Sequence, residues 1–113
     1  MKNNEWIKEF DASIVVCDIN GIIVEMNEKA CITFSKYGGK KLIGSSLFDC
    51  HSEPSRLKLK QLMKEEKTNI YTILKNNIKK IIIQKPWYKE GKHNGLVEIS
   101  IEIPLEMNHF IRE

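Results

Sequence analysis

The stretch 13–27 reads S-I-V-V-C-D-I-N-G-I-I-V-E-M-N and constrains the fold more than any other part of the chain. Two apolar runs, 14–17 and 22–24, flank Asp18-Ile19-Asn20-Gly21. Short β-branched runs bounded by Asp, Asn and Gly predict two strands with a tight connection, and Gly21 can take the positive φ such a turn needs. The run 14–17 is apolar at every position, so alternation leaves it no wet face, and a strand of this kind is covered on both sides. One cover is the main core. The N-terminus offers the other: residues 4–10 predict a short helix with Trp6, Ile7 and Phe10 on one side. A helix that short does not hold alone, so it is expected to dock on the outer face of the 14–17 strand. It either completes one monomer or also packs on a second subunit.

A chain of 113 residues fits one domain, and a domain of that size hides roughly two-thirds of its unfolded surface. The hydrophobic fraction of 42% argues against disorder. The net charge of +3 is mild and does not by itself imply nucleic acid. Lys58, Lys60, Lys64 and Lys67 mix with Glu65 and Glu66 as on a solvated helix face. The cysteines Cys17, Cys31 and Cys50 are odd in number and widely spaced, which fits reduced thiols in a cytoplasmic protein better than a disulfide framework. Residues 1–10 lack the apolar centre of a signal peptide. No apolar run approaches the ~20 residues that span a bilayer. The expectation is a cytoplasmic protein with no membrane segment.

After the first hairpin, Asn27 is a good N-cap and Glu28 suits a first helical turn. Ala30, Cys31 and Phe34 form a small apolar stripe, Gly38-Gly39 ends it, and a further short turn is expected at 47–50. Ser52 is placed as the cap of the next helix, with Pro54 in its first turn and its end near Lys67. Leu59, Leu62 and Met63 form its inner stripe. From Asn69 the period changes to two: strands are expected at 70–74 and 78–88 around an Asn76-Asn77 hairpin, with a turn over 89–95. Val97, Ile99, Ile101 and Ile103 then alternate with Glu98, Ser100 and Glu102. The apolar side of this strand is expected to face the core and the polar side to face water, and Pro104 stops it. Two strands before the helices and three after predict an α+β fold: one antiparallel sheet with helices on one face, its first and last strands paired at the centre. The expected divisions are an N-terminal cap helix over 1–12, the domain over 13–104 and a tail over 105–113, possibly docked through Phe110 and Ile111.

The chain resembles a PAS domain. The matching pieces are Val16-Cys17-Asp18-Ile19-Asn20-Gly21-Ile22-Ile23, then Asn27 with Ala30, then Lys41-Leu42-Ile43-Gly44-Ser45-Ser46-Leu47, and late Gly91…Gly95-Leu96-Val97-Glu98-Ile99-Ser100. Each is degenerate, but their order and spacing cover about 13–104. The resemblance implies a five-stranded antiparallel sheet in the order 2-1-5-4-3. It implies sensing and signal transduction, often beside kinase, cyclase or DNA-binding domains, and a homodimer formed through the sheet and N-terminal helix. It does not imply catalysis, and no nucleic-acid partner is expected. With no such domain in this sequence, output is expected through a protein partner or the dimer.

A ligand between sheet and helices is expected to be enclosed by Phe34, Leu47, Phe48, His51, Met63, Ile83, Val97 and Ile99, with one of Trp87 and Tyr88 reaching in. The rival is a filled core and a protein-interaction adaptor that senses nothing. The stretch Leu47-Phe48-Asp49-Cys50-His51-Ser52-Glu53-Pro54 is similar to one in small bacterial PAS proteins. In some haem-binding gas sensors of that group the His binds iron, which makes His51 the candidate metal and haem ligand. Pro54 does not directly follow His51, and no second ligand matches. Other readings of His51 are a contact to another ligand and a structural cap. Cys50 beside His51 is not a catalytic dyad, since a thiol nucleophile needs a base within reach and oxyanion donors. Lys75, Lys79, Lys80 and Lys85 form a basic strip that either touches phosphates or protects strand edges.

Overall fold

The structure, a computed structural model, describes residues 5–113, so Asn4 of the expected cap helix lies outside the described residues, as does the side chain of Cys50. The elements are α1 (Glu5–Lys8), β1 (Ser13–Asp18), β2 (Ile23–Met26), α2 (Glu28–Thr33), three 3₁₀ turns (Ser35–Tyr37, Gly39–Leu42, Leu47–Cys50), α3 (Ser55–Glu65), β3 (Asn69–Lys75), β4 (Ile78–Lys89) and β5 (Lys92–Ile103). The strands form one five-stranded sheet in the order β2-β1-β5-β4-β3, every pair antiparallel. This is the expected order, with the two ends of the chain paired at the centre. No helix among the described residues is long and apolar enough to cross a membrane.

Local chemistry explains the turns. Asp18 Oδ1 accepts from the N–H groups of Asn20 and Ile22, 2.9 and 3.0 Å away, which closes the first connection. Asn76 and Asn77 both take positive φ, 53° and 64°, as a two-residue hairpin requires. The next hairpin is tighter than expected. Glu90 and Gly91 alone form it, at φ 52° and 79°, and β5 begins at Lys92, so most of the polar run read as loop is strand. Polarity misled here because those positions lie at an exposed end of the ribbon. Helix α3 begins with Pro54 at its N-cap position and no side-chain cap, so Ser52 does not serve there. Its end comes at Glu65, where Glu66 turns left-handed, earlier than Lys67.

The helices and turns cover one face of the sheet. Val15, Cys17, Ile23, Met26 and Leu96 from the strands meet Ala30, Leu47, Leu59, Leu62 and Met63 in the core. Cys17 pairs with Leu96 and Val15 with Glu98, and paired residues share a face. Glu98 and Ser100 therefore point toward the helices, while Val97, Ile99, Ile101 and Ile103 point away. The register continues through β4, where Ile81 and Ile83 pair with Ile101 and Ile99, and into β3, where Ile70 pairs with Ile83 and Leu74 with Lys79. The strongest apolar alternation in the chain thus lies on the outer face, the reverse of the expected orientation. Alternation fixes which residues travel together but not which side the helices take.

The expected cap helix is shorter than read and does not bury its aromatic side. Trp6 and Phe10 touch edge to face at 5.7 Å, yet are 63% and 48% exposed. Asn27 holds the segment instead. Its Nδ2 donates to the carbonyls of Ile7 and Ala12, at 3.0 and 2.8 Å, and its Oδ1 accepts from Ile14 N and Ala30 N, both at 3.0 Å. The tail is undocked, with Phe110 and Ile111 exposed.

Candidate functional site

The nine residues expected to enclose a ligand fall into two groups. Leu47 and Met63 are buried in the core, with Phe34 and Phe48 packed against it. His51 stands at the end of the third 3₁₀ turn. Ile83, Val97 and Ile99 are on the outer face by register, and so is Trp87, which pairs with Gly95 next to a bulge. Trp87 Nε1 donates across Gly95 to the Cys17 carbonyl, 2.9 Å away. These four do not join the other five, and Tyr88, exposed with its hydroxyl donating to Glu66 at 2.8 Å, does not reach in either.

Where Phe34, Leu47 and His51 meet Val15 and Ile23, the remaining space is about 10 Å³, enough for at most one water. The carbonyl of Leu47 can only accept, so His51 donates its Nδ1–H to it, at 3.0 Å, which leaves Nε2 as the open nitrogen. That is the bonding a metal-ligating His needs. The packed side chains around it nevertheless leave no room for a porphyrin, and the other side of the ring meets polar groups, so these residues do not fit haem.

The usable hollow is on the other side of His51. An open groove of about 390 Å³ runs between α3 and the inner face of β3 and β4, walled by His51, Ser55, Lys58 and Leu59 and floored by Asn69, Tyr71 and Gln84. Two of its floor residues, Asn69 and Gln84, belong to a hydrogen-bonded row that continues beyond the groove to Glu98 on β5. Gln84 Nε2 donates to Glu98 Oε2 at 2.7 Å, and Asn69 Nδ2 donates to Gln84 Oε1 at 2.9 Å. Gln84 and Glu98 are both buried. Burial, and secondarily the charge of Glu98, push the Tyr71 hydroxyl pKa up. Arg56 ties the turn before α3 to the helix, donating from Nε to the Phe48 carbonyl at 3.2 Å and from Nη2 to Asp49 at 3.0 Å. Sequence reasoning missed Asn69, Tyr71, Gln84 and Glu98. The signal available was the polar side of the last strand, which was read as facing water.

Elsewhere, a surface trough of about 510 Å³ lies between α1 and α2, with Glu5, Lys8, Glu28 and Lys40 around Ile7 and Ile32. Among the described residues no group of three or more His, Cys, Asp or Glu side chains is placed to hold a metal ion. Cys17 is fully buried, which pushes its thiol up to about 11 and keeps it protonated at neutral pH. The expected basic strip is divided by the pleat: Lys79 and Lys85 share the outer face with Ile103 and Val97, while Lys80 pairs with Glu102 on the inner face.

No family model matches the sequence, and no curated protein is significantly similar to it. Solved structures match in fold. The PAS domain of an HTR-like protein from Haloarcula marismortui is 15% identical with a TM-score of 0.64, over 90% of this chain and 89% of that one. The PAS domain of nitrogen regulation protein NR(II) from Vibrio parahaemolyticus is 14% identical with a TM-score of 0.62, over 91% and 99%. The Aer2 receptor from Vibrio cholerae, described as a dual PAS-heme oxygen sensor, is 12% identical with a TM-score of 0.60, over 82% and 95%.

Proposed function

We propose that this chain, which has the PAS fold, is a non-enzymatic sensory module: it takes a small molecule in the groove under α3 and reports occupancy through its outer sheet face to a second copy of itself. The observation that carries the reading is the division of labour on β4 and β5. Gln84 lines the groove, with Glu98 beside it on the same face, while their chain neighbours Ile83, Val97 and Ile99 point to the opposite face. A ligand that touches both α3 and the floor shifts the balance between two packings of α3 on the sheet, and the same strands carry that shift to the outer face. That face carries Ile70, Leu74, Ile81, Ile101 and Ile103, of which Ile70 and Leu74 are exposed. Exposed apolar faces mark interaction sites. Trp6 and Phe10 are exposed as well and touch each other edge to face.

Two measurements test this. Native mass spectrometry of the purified chain is expected to show a bound small species. Light scattering is expected to give a dimer that Ile101→Lys converts to a monomer and that Trp6→Ala and Phe10→Ala weaken. An unliganded chain whose mass is the same in all these variants overturns the reading. The closed space of about 10 Å³ in the core favours one alternative, an adaptor with a filled core that binds another protein and senses nothing. Its mark is a dimer or complex that forms with no bound species and responds to none. Haem sensing, the remaining alternative, is opposed by the filled core on one side of His51 and the polar lining of the groove on the other.

A further inference from the structure

The two edges of the sheet are finished differently. β2, at one edge, is four residues long. The segment 44–47 runs along its open side: Ile23 N donates to the Ser45 carbonyl at 2.9 Å and Gly44 N to the Ile23 carbonyl at 2.8 Å, with Ile22 bridged to Ser46. β3, at the other edge, is seven residues long. Among the described residues no backbone hydrogen bond from outside the sheet reaches it. It pairs with β4 residue for residue with no bulge, whereas the β1–β2 and β4–β5 pairs each shift register. Residues 70–74, I-Y-T-I-L, hold no charge and no proline, and Ile70, Tyr71, Ile73 and Leu74 are all exposed. Bulges, charges, prolines and cover are the devices that keep an edge strand from pairing with another chain. β3 has only Lys75, at its end.

The two-residue Asn76-Asn77 turn fixes which groups point outward. Lys75 and Ile78 close it as a hydrogen-bonded pair. Ile73 and Tyr71 therefore also bond to β4, and the N–H and C=O groups of Ile70, Thr72 and Leu74 point to the open side. We propose that β3 pairs antiparallel with β3 of a second copy, about a twofold axis at Thr72, to make one continuous sheet. In that register Ile70 meets Leu74 of the second copy, Tyr71 meets Ile73 and Thr72 meets Thr72. Every residue then has a partner on the same face, and about six backbone hydrogen bonds form. Charge selects the direction. Antiparallel pairing sets Lys75 opposite Asn69 and about 20 Å from the other Lys75, whereas parallel pairing in register sets the two lysines side by side. The contact is one strand long with no core of its own, small beside the ~1,600 Å² of a stable interface. It therefore forms at higher protein concentration than the face contact of the reading above, uses a different surface and needs no ligand.

Sedimentation equilibrium of the full chain over a concentration series up to about 1 mM reads the association. Thr72→Lys and Thr72→Pro are the variants. Thr72 is exposed and its N–H faces away from β4, so neither substitution removes a ladder bond. The wild-type mass is expected to keep rising above the face dimer. Both variants are expected to stop there, with the edge dissociation constant raised at least ~10-fold. In an Ile101→Lys background, where the face contact is removed, the same rise runs from monomer toward dimer, so the test does not depend on the sensory reading. Cysteine linking reads the register. Under a mild oxidant Thr72→Cys is expected to join two copies through position 72, because the Cα atoms of a hydrogen-bonded pair lie about 5.5 Å apart. Ile70→Cys, about 14 Å from the same position in the second copy, is expected to stay unlinked. No rise in mass in either the wild-type or the Ile101→Lys series overturns the proposal, even where a Thr72 variant fails to fold. A folded Thr72→Lys that associates like the wild type overturns it too, as does a 70–70 link as abundant as the 72–72 link.

Discussion

Replacing Asn27 tests how the N-terminal segment is held. The side chain is 4% exposed and serves three elements at once. In Asn27→Ala the N–H of Ile14 in β1 loses its acceptor and stays buried, a cost of about 1–3 kcal/mol. The α2 cap on Ala30 N is lost, about 1 kcal/mol. The bonds to the Ile7 and Ala12 carbonyls go too, about 1 kcal/mol each, while the longer contact to Phe10 at 3.4 Å adds little. The sum is about 4–6 kcal/mol, a large share of the roughly 5–15 kcal/mol that holds a domain together. With a urea slope of about 1.5 kcal/mol/M, the denaturation midpoint should fall by about 3–4 M, which leaves the variant barely folded without denaturant. Asn27→Ser separates the parts: it keeps the cap and loses the rest, so it should recover only about 1 kcal/mol. Asn27→Asp keeps both acceptors but turns a carboxylate toward three carbonyls, which favours its protonated form. Its folded pKa is thereby raised, so its stability relative to wild type should improve as pH falls toward about 4 and decline as pH rises. Urea titrations at several pH values read all three. Asn27→Ser as stable as the wild type would refute the reasoning, since the cap alone would then explain the residue.

Gly95→Ala should cost about 3 kcal/mol or more, a drop in Tm of roughly 10 °C. Gly95 sits at φ +146°, and a Cβ there would overlap the Cys17 carbonyl and lie 2.8 Å from Trp87 Nε1. Gly44→Ala, at φ +97° with nothing near, carries only the backbone strain of about 1 kcal/mol, so equal Tm losses would count against the steric account. Burial holds the Cys17 thiol at about 11, above the 9.0 of an unperturbed thiol. The unfolded chain therefore releases that proton first, and the resulting contribution to stability is intact below pH 9 and lost between pH 9 and 11, up to about 2 kcal/mol. Cys17→Ala should flatten that part of the stability-versus-pH curve relative to wild type, and an unchanged slope would sink the claim. Reconstitution with haem should give no Soret band that depends on His51; a band abolished by His51→Ala would mean that the core around Leu47 and Phe34 opens.

Much of the backbone was written in local chemistry. The run 14–17 could only be a strand covered twice, Asn76-Asn77 could only turn tightly, Asn27 was recognisable as a cap, and Leu59, Leu62 and Met63 fell where they were expected, in the core. Those readings depend on residues a few positions apart, whose geometry the polypeptide sets before any tertiary contact exists. The placement of Val97, Ile99 and Ile101 did not follow from their alternation, because a period of two is symmetric between the faces of a sheet. Only the pairing of Cys17 with Leu96, under helices that cover that side, broke the symmetry and turned Glu98 inward. Asn69, Gln84 and Glu98 come from three strands and meet only through the register between them. A hydrogen-bonded row assembled in this way belongs to the packed sheet and to no single stretch of chain, for the physical reason that hydrogen-bond partners distant in sequence are chosen by strand register, which the whole core determines.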